Sequence, residues 1–296
     1  MKCKNANSFQ KTFSFAVMNN VGTLHLKDKN FLPENADVCE LLIKLSQHKL
    51  SYAIRDIQTN QLFVIYDAVL SETPENTLVS LEAQHDYLNL KYKQVKISAE
   101  TFNFVFIPTE LYTEIAAPSY KNFVRTTKAS RTLINKTVDG NMHTISSVDE
   151  SLIAPLLNKY PDAAVYSQAE ALIESISGPD KQTAGLLAII QFNSGTVEIA
   201  LLSEGQFIFY NIFKTDTVDD YNYYLLLVKQ QFNLQPNTNI LLAGEVEKYS
   251  ELYRRTAKYF KNIKFADSTR IMKYPESFKL LPAHQFYSLL SMSLCE

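Results

Sequence analysis

Glycine is scarce in this chain: only 7 of 296 residues. Phosphate cradles built from successive backbone N–H groups need several glycines close together, because a Cβ blocks close approach. Most glycine-rich nucleotide fingerprints are therefore excluded. Cysteine is scarce too. Cys3, Cys39 and Cys295 lie far apart and form neither a disulfide framework nor a zinc spacing. The five histidines, His25, His48, His85, His143 and His284, fall into no H-x-x-x-H or H-E-x-x-H arrangement. They read as solvated or structural residues, and no metal ligand set is expected. No apolar run approaches the ~18–20 residues of a membrane span. The basic start, Met1-Lys2-Cys3-Lys4-Asn5, is followed by no apolar stretch of the roughly 7–15 residues a secretory signal needs. The expected location is the cytoplasm, with no membrane partner. A surplus of one charge is also missing. Lys and Arg number 29 against 31 Asp and Glu, which argues against a nucleic-acid binder that works by neutralising phosphates.

What is present is a core-forming composition, 46% hydrophobic and 20% charged, on a chain long enough for two ordinary domains. The main signal is an internal repeat. Leu41–Leu45, Leu50–Arg55 and Leu62–Tyr66 are β-like runs separated by Ser46-Gln47-His48-Lys49 and Asp56–Gln61, a meander of three antiparallel strands. Ala188–Phe192, Val197–Leu202 and Phe207–Asn211 form a second meander. Its turns carry Gly195 and Gly205 where a hairpin needs positive φ. At a constant offset, Ile43-Lys44-Leu45-Ser46 falls on Ile190-Gln191-Phe192-Asn193, and Ala53 falls on Ala200.

The sequels match as well. Pro74–Lys91 reads as a helix with proline near its start, and Val95–Ser98 as a strand. Thr217–Phe232 reads as a helix with Asp219 and Asp220 in its first turn and Lys229 near its end, as the helix dipole prefers. Ile240–Ala243, a helix Glu247–Phe260, a strand Ile263–Phe265 and a helix Ala283–Leu294 complete the second unit. In the first unit, strand Ala163–Tyr166 and helix Gln168–Ser175 follow an insertion over 99–147. The insertion holds a β-like run, Phe102–Ile107, and a basic stretch, Lys121–Lys136. Ser177-Gly178-Pro179-Asp180 is a turn signal and the expected hinge. The expected organisation is an N-terminal extension over 1–38, with a hairpin of Thr12–Met18 and Thr23–Lys27, a first lobe over 39–178 and a second over 179–296. This α/β pattern, βββαβα twice, predicts two mixed sheets covered by helices with a central cleft, the alternative being two independent domains with no shared site.

The duplicated meander resembles the actin-like ATPase superfamily (actin, heat-shock chaperones, sugar kinases), a ribonuclease H-like fold in two lobes. The chain is similar to one bacterial family of unknown function assigned that fold. The residues that carry the likeness are Leu41–Asp56, Tyr223–Leu234, Ile240–Tyr253 and Pro282–Leu290. The resemblance implies that each first hairpin once gripped ATP phosphates, with an Asp on each first strand to position magnesium or water. Against the usual second motif, D-x-G-G-G-T-x-D, the chain has Gln191-Phe192-Asn193-Ser194-Gly195-Thr196-Val197-Glu198. Against the first, D-x-G-[ST], it has Lys44-Leu45-Ser46-Gln47. Against the adenosine-side G-G it has Gly244-Glu245. Both aspartates are gone and one has become a cation. Gln191 loses the charge-assisted hold on hydrated magnesium. A Cβ at Ser46 or Asn193 obstructs a phosphate, and Glu245 puts an anion near the nucleotide.

The degenerate cleft residues are thus Ser46, Gln191, Asn193, Ser194, Gly195, Thr196 and Gly244, with no catalytic residue, no metal ligand and no cofactor expected. Lys44, His48 and Lys49 read as solvated turn residues, with an anion site facing Ser194-Gly195-Thr196 as the alternative. Asp219 and Asp220 read as dipole partners, and the Tyr221, Tyr223, Tyr224 and Phe232 set as core packing. Lys121, Arg125, Lys128, Arg131 and Lys136 read as a solvated loop, with binding of RNA or an acidic protein surface as the alternative, and the insertion is the first place to seek a partner. The expected function is a non-catalytic interaction or regulatory scaffold with a protein partner. The alternative is an unorthodox ATP-binding sensor or ATPase working through Lys44, Ser194 and Thr196.

Overall fold

The computed structural model of the chain describes residues 22–137, 140–177 and 185–296. The Thr12–Met18 run and the Gly178-Pro179-Asp180 join lie outside them. The first sheet contains β1 (Thr23–Lys27), β2 (Cys39–Leu45), β3 (Lys49–Asp56), β4 (Leu62–Val69), β5 (Gln94–Ala99) and β9 (Ala164–Ser167), in the order β1-β4-β3-β2-β5-β9. The segment read as an N-terminal extension therefore contributes its Thr23–Lys27 strand to the edge of this sheet, antiparallel to β4. The second sheet contains β10 (Leu186–Asn193), β11 (Thr196–Ser203), β12 (Gln206–Lys214), β13 (Asn239–Gly244) and β14 (Asn262–Phe265), in the order β12-β11-β10-β13-β14. Apart from β1, both sheets run in one order, with an antiparallel meander followed by two parallel strands.

Side chains alternate along a strand, so each sheet offers two faces with different jobs. On the first sheet, Leu41, Ile43, Leu45, Ile54, Val64 and Ile97 pack outward under α1 (Pro74–Gln84) and α3 (Glu150–Lys159). On the second, Ile190, Phe192, Ile199, Leu201 and Leu242 pack outward under α5 (Val218–Gln231) and α6 (Glu251–Ala257). The inner faces are covered crosswise. Leu42, Ala53, Leu62 and Ile65 of the first sheet meet Met272, Phe278, Phe286, Leu289, Leu290 and Met292 from the end of the chain, including α7 (Tyr287–Ser291). Leu187, Ile189, Ala200 and Leu202 of the second sheet meet Ala169, Leu172, Ile173 and Ile176 of α4 (Gln168–Ile176), a helix whose nine residues are all buried. Each lobe's last helix thus completes the other lobe's core.

The insertion forms a third sheet of β6 (Phe104–Pro108), β7 (Ser130–Lys136) and β8 (Met142–Asp149), in the order β6-β8-β7. Period two again divides its work. Phe104 and Phe106 meet Tyr210 and Phe207 of the second lobe, with ring centroids 5.3 Å (Phe104–Tyr210) and 5.1 Å (Phe106–Phe207) apart. Val105 and Ile107 face a small core of Tyr120, Val124 and Ile145 beneath α2 (Ala117–Tyr120). The insertion is fastened to both lobes. Asn135 of β7 also donates to the Val165 carbonyl of β9, at 3.2 Å.

Several helices are shorter than their periodicity predicts. The helix expected over Pro74–Lys91 stops at Gln84, where His85 leaves helical geometry (φ −130°, ψ 80°) and a 3-10 turn at Asp86–Asn89 buries Tyr87 and Leu88. The one expected over Glu247–Phe260 starts only at Glu251. Ser250 caps it by accepting from the Tyr253 N–H, the usual role of an N-cap serine. The last helix contracts to α7 plus a 3-10 turn, Met292–Leu294. Thr217 and Asp220 form a reciprocal capping box on α5, so Asp220 serves the helix start. Asp219 pairs with Arg255 at 2.9 Å.

Candidate functional site

β2 and β10 end at the same place, the mouth of the cleft, and their inner-face parity brings Lys44 and Gln191 there. Lys44 continues the face of Glu40 and Leu42. Gln191 continues that of Leu187 and Ile189, and its cross-strand neighbour is Glu198. The Lys44 ammonium crosses to the second lobe. It donates to Asn193 Oδ1 at 3.1 Å and to Ser288 Oγ of α7 at 2.7 Å, and lies 3.8 Å from the fully buried Glu198 Oε1. Glu198 also accepts from Asn193 Nδ2 (2.9 Å) and the Tyr210 hydroxyl (2.8 Å). Tyr210 in turn accepts from Gln168 Nε2 at 3.0 Å, and Gln168 also donates to the Thr101 carbonyl at 2.9 Å. One chain of hydrogen bonds therefore ties the cleft to α4 and to the root of the insertion.

A second clasp closes the rim. Lys49 Nζ pairs with Asp67 of its own lobe at 2.8 Å and with Glu245 of the other lobe. Burial would lower the Lys49 pKa, but the Asp67 and Glu245 carboxylates together hold it above its ordinary value. A third contact runs from Thr196 Oγ1 to Glu100 Oε2, at 3.1 Å. Burial raises the Glu100 pKa, with Lys44 opposing and Glu198 adding to the shift. The cavity left between the lobes measures about 50 Å³. Ligand pockets run from about 300 to 1,000 Å³.

The charges are as telling as the space. Two ammonium groups, Lys44 and Lys49, face four carboxyl groups, Asp67, Glu100, Glu198 and Glu245. An anion entering here meets carboxylates and finds both cations already engaged. A magnesium–nucleotide held as the resemblance implies would meet these four carboxyl groups with neither ammonium free to receive its phosphates. Among the described residues no group of three or more His, Cys, Asp and Glu side chains is placed to hold a metal ion.

Ser46, Gln191, Asn193 and Ser194 line the cavity together with Lys44, Lys49 and Glu245. The Ser46 hydroxyl and the Gln191 amide nitrogen serve local contacts, whereas Gln191 Oε1 is buried with no hydrogen-bond partner among the described residues. Ser46 Oγ accepts from the His48 and Lys49 N–H groups (3.3 and 3.1 Å) and so braces its own hairpin. Gln191 Nε2 donates to Asn193 Oδ1 and the Phe192 carbonyl (3.2 and 3.3 Å). Gly195 holds the turn at φ 79° and is not on the cavity wall. Gly244 sits with φ 80° beneath the end of β10, where an added Cβ would lie 2.0 Å from the Phe192 oxygen. Lys44 and Lys49, read from sequence as solvated, are instead engaged across the cleft. His48 is exposed.

Sequence reasoning missed Asp67, Glu100 and Ser288. Asp67 shares the inner-face parity of Ile65, and Glu100 directly follows β5, which lies parallel to β2. Those positions were the available signals. Nothing local marks Ser288, which reaches Lys44 only through the crossing of α7.

Comparison with known proteins fits this geometry into a family. The model of one family, described as a protein of unknown function (DUF3822), matches residues 28–263. The chain belongs to that family. Among solved structures, this DUF3822 protein is similar to a Bacteroides thetaiotaomicron protein of actin-like ATPase fold and unknown function. The two share 22% identity and a TM-score of 0.72, over 89% of this chain and 98% of that one. It is also similar in fold to a chain of the PilM–PilN type IV pilus biogenesis complex, at 8% identity and TM-score 0.54, over 86% of this chain and 97% of that one. The fold of the DUF3822 protein is the actin-like ATPase fold. Comparison with curated proteins gives no match. Among the described residues no helix is long and apolar enough to cross a membrane.

Proposed function

We propose that this protein is a pseudo-ATPase: a non-catalytic cytoplasmic scaffold in which a duplicated actin-like body is held shut by its own side chains and presents its outer surfaces to a protein partner. The observation that carries the reading is the Lys44 bridge. A lysine stands where the superfamily resemblance implies a magnesium-positioning aspartate, and its ammonium joins Asn193, Ser288 and Glu198 across the cleft. Phosphoryl transfer depends on positioning and electrostatic stabilisation, and this site offers neither a metal grip nor a free cation. The cross-packed α4 and α7 and the fastened insertion support a rigid body over a hinged one. A chain of the same fold occurs in the PilM–PilN complex, so the fold tolerates incorporation into a protein assembly.

The test is thermal unfolding with ATP or ADP, with and without magnesium. A nucleotide at about 100 times its dissociation constant stabilises its host by roughly 2.7 kcal/mol. The expected result is no shift with any nucleotide and no magnesium-dependent phosphate release. A magnesium-dependent shift that is abolished by Asn193→Arg would refute the scaffold and support the nucleotide sensor.

A further inference from the structure

The insertion sheet uses one face to hold the second lobe, and its other side carries a surface with no cover among the described residues. Leu111, Ile115 and Phe123 are all exposed there, Ile115 to 95%. Sequence neighbours alone would not make these a patch; the fold does. Tyr120 sits between the two segments, its hydroxyl accepting from the Thr113 N–H and donating to the Leu111 carbonyl, both at 3.0 Å. Its ring lies 5.3 Å from that of Tyr112 and 6.3 Å from that of Phe123. Residues 111–115 and 120–123 therefore border one aromatic row.

The charges around that row are sorted. Along the ring row Tyr112–Tyr120–Phe123, Glu110, Leu111, Glu114 and Ile115 flank Tyr112 in sequence, while Lys121 and Arg125 flank Phe123. The four charged residues are exposed, and none has an ion-pair partner among the described residues. An acid–apolar–base order is complementary to itself under a twofold rotation. The rotation sets Glu110 and Glu114 of each copy opposite Lys121 and Arg125 of the other, with the apolar rows between them.

We propose that the outer face of the insertion is a homodimer interface and that its occupant is a second copy of this chain. The dimer joins two closed bodies through their insertions and leaves both clefts untouched. It needs nothing from the cleft, so failure of the scaffold reading leaves it standing.

Sedimentation equilibrium of the full chain tests the proposal, with charge reversals as probes. The parent is expected to dimerise at micromolar concentration. Glu114→Arg alone and Arg125→Glu alone should each weaken the dimer about tenfold or more, and combining them should restore it. Ile115→Asp should give a monomer that melts where the parent does when the parent is diluted below its dimer dissociation constant, because the residue is exposed in the free chain. A parent that stays monomeric at every concentration, or a dimer indifferent to these changes, overturns the proposal. So does a double reversal no tighter than the single ones. A photo-cross-linker at position 115 should capture the 121–125 segment of another copy; capture of the chain's own residues 1–21, or of a different protein, overturns it.

Discussion

Replacing Lys44 by Met removes one ammonium group and keeps most of the apolar stem. The consequence follows from what that group touches. Glu198 is fully buried, and Lys44 is the cation beside it. Removing one partner of a buried pair costs about 3–5 kcal/mol, because the remaining charge stays desolvated. Glu198 retains its bonds from Asn193 (2.9 Å) and Tyr210 (2.8 Å), which puts the expected loss at the low end, about 3 kcal/mol. Unfolding entropy is about 2.1 cal/mol/K per residue, so a chain of this length has roughly 620 cal/mol/K and the loss lowers the melting temperature by about 5 °C. Glu100 also loses the cation that opposes its upward pKa shift. A carboxyl raised in the folded state stabilises at low pH and loses that contribution as pH rises, so the deficit should shrink as the buffer is acidified. Adding Glu198→Gln removes the stranded charge and should recover part of the loss. Calorimetry or circular-dichroism melting of the parent and the single and double variants reads all of this. A single variant that melts with the parent, or a double variant no better than the single one, would refute an internal clasp.

Two further predictions concern the core. Gly244→Ala forces a Cβ to within 2.0 Å of the Phe192 oxygen at φ 80°, whereas Gly195→Ala meets nothing within 4 Å at φ 79°. The first should cost about 3 kcal/mol and the second about 1 kcal/mol; equal melting temperatures would contradict the packing role. Glu170 lies fully buried on α4 with its pKa pushed from 4.5 up to about 7 by burial, partly offset by its bond from Ser167. The folded chain then binds more protons than the unfolded one between those values, so stability falls as pH rises through that window, by about 3 kcal/mol in all. Glu170→Gln should flatten this slope and melt above the parent at pH 8; an unchanged slope would count against it.

The fold was legible because period-two alternation is local. The parity of Leu41 to Leu45 and of Ile189 to Phe192 suffices to define two meanders, and the offset between them is visible without coordinates. Helix ends were less legible, since caps such as Ser250 act within a pattern that continues past them. In the cleft, the loss of acid at Lys44 and Gln191 could be read directly. The engagement of Lys44 could not, because its partners Ser288, Asn193 and Glu198 come from strands and a helix up to 244 residues away. The same holds for Gly244, whose neighbour is a backbone oxygen on another strand.

The crosswise completion of the two cores has a consequence for synthesis. The inner face of the first sheet is finished only when Phe286, Leu290 and Met292 arrive. At about 5–20 residues per second, the roughly 220 residues that separate β4 from α7 take roughly 10–40 s to leave the ribosome. Throughout that interval Leu42, Ala53, Leu62 and Ile65 form a greasy, uncapped wall. A chain truncated before residue 286 should therefore expose this wall and aggregate rather than fold as a half-sized protein.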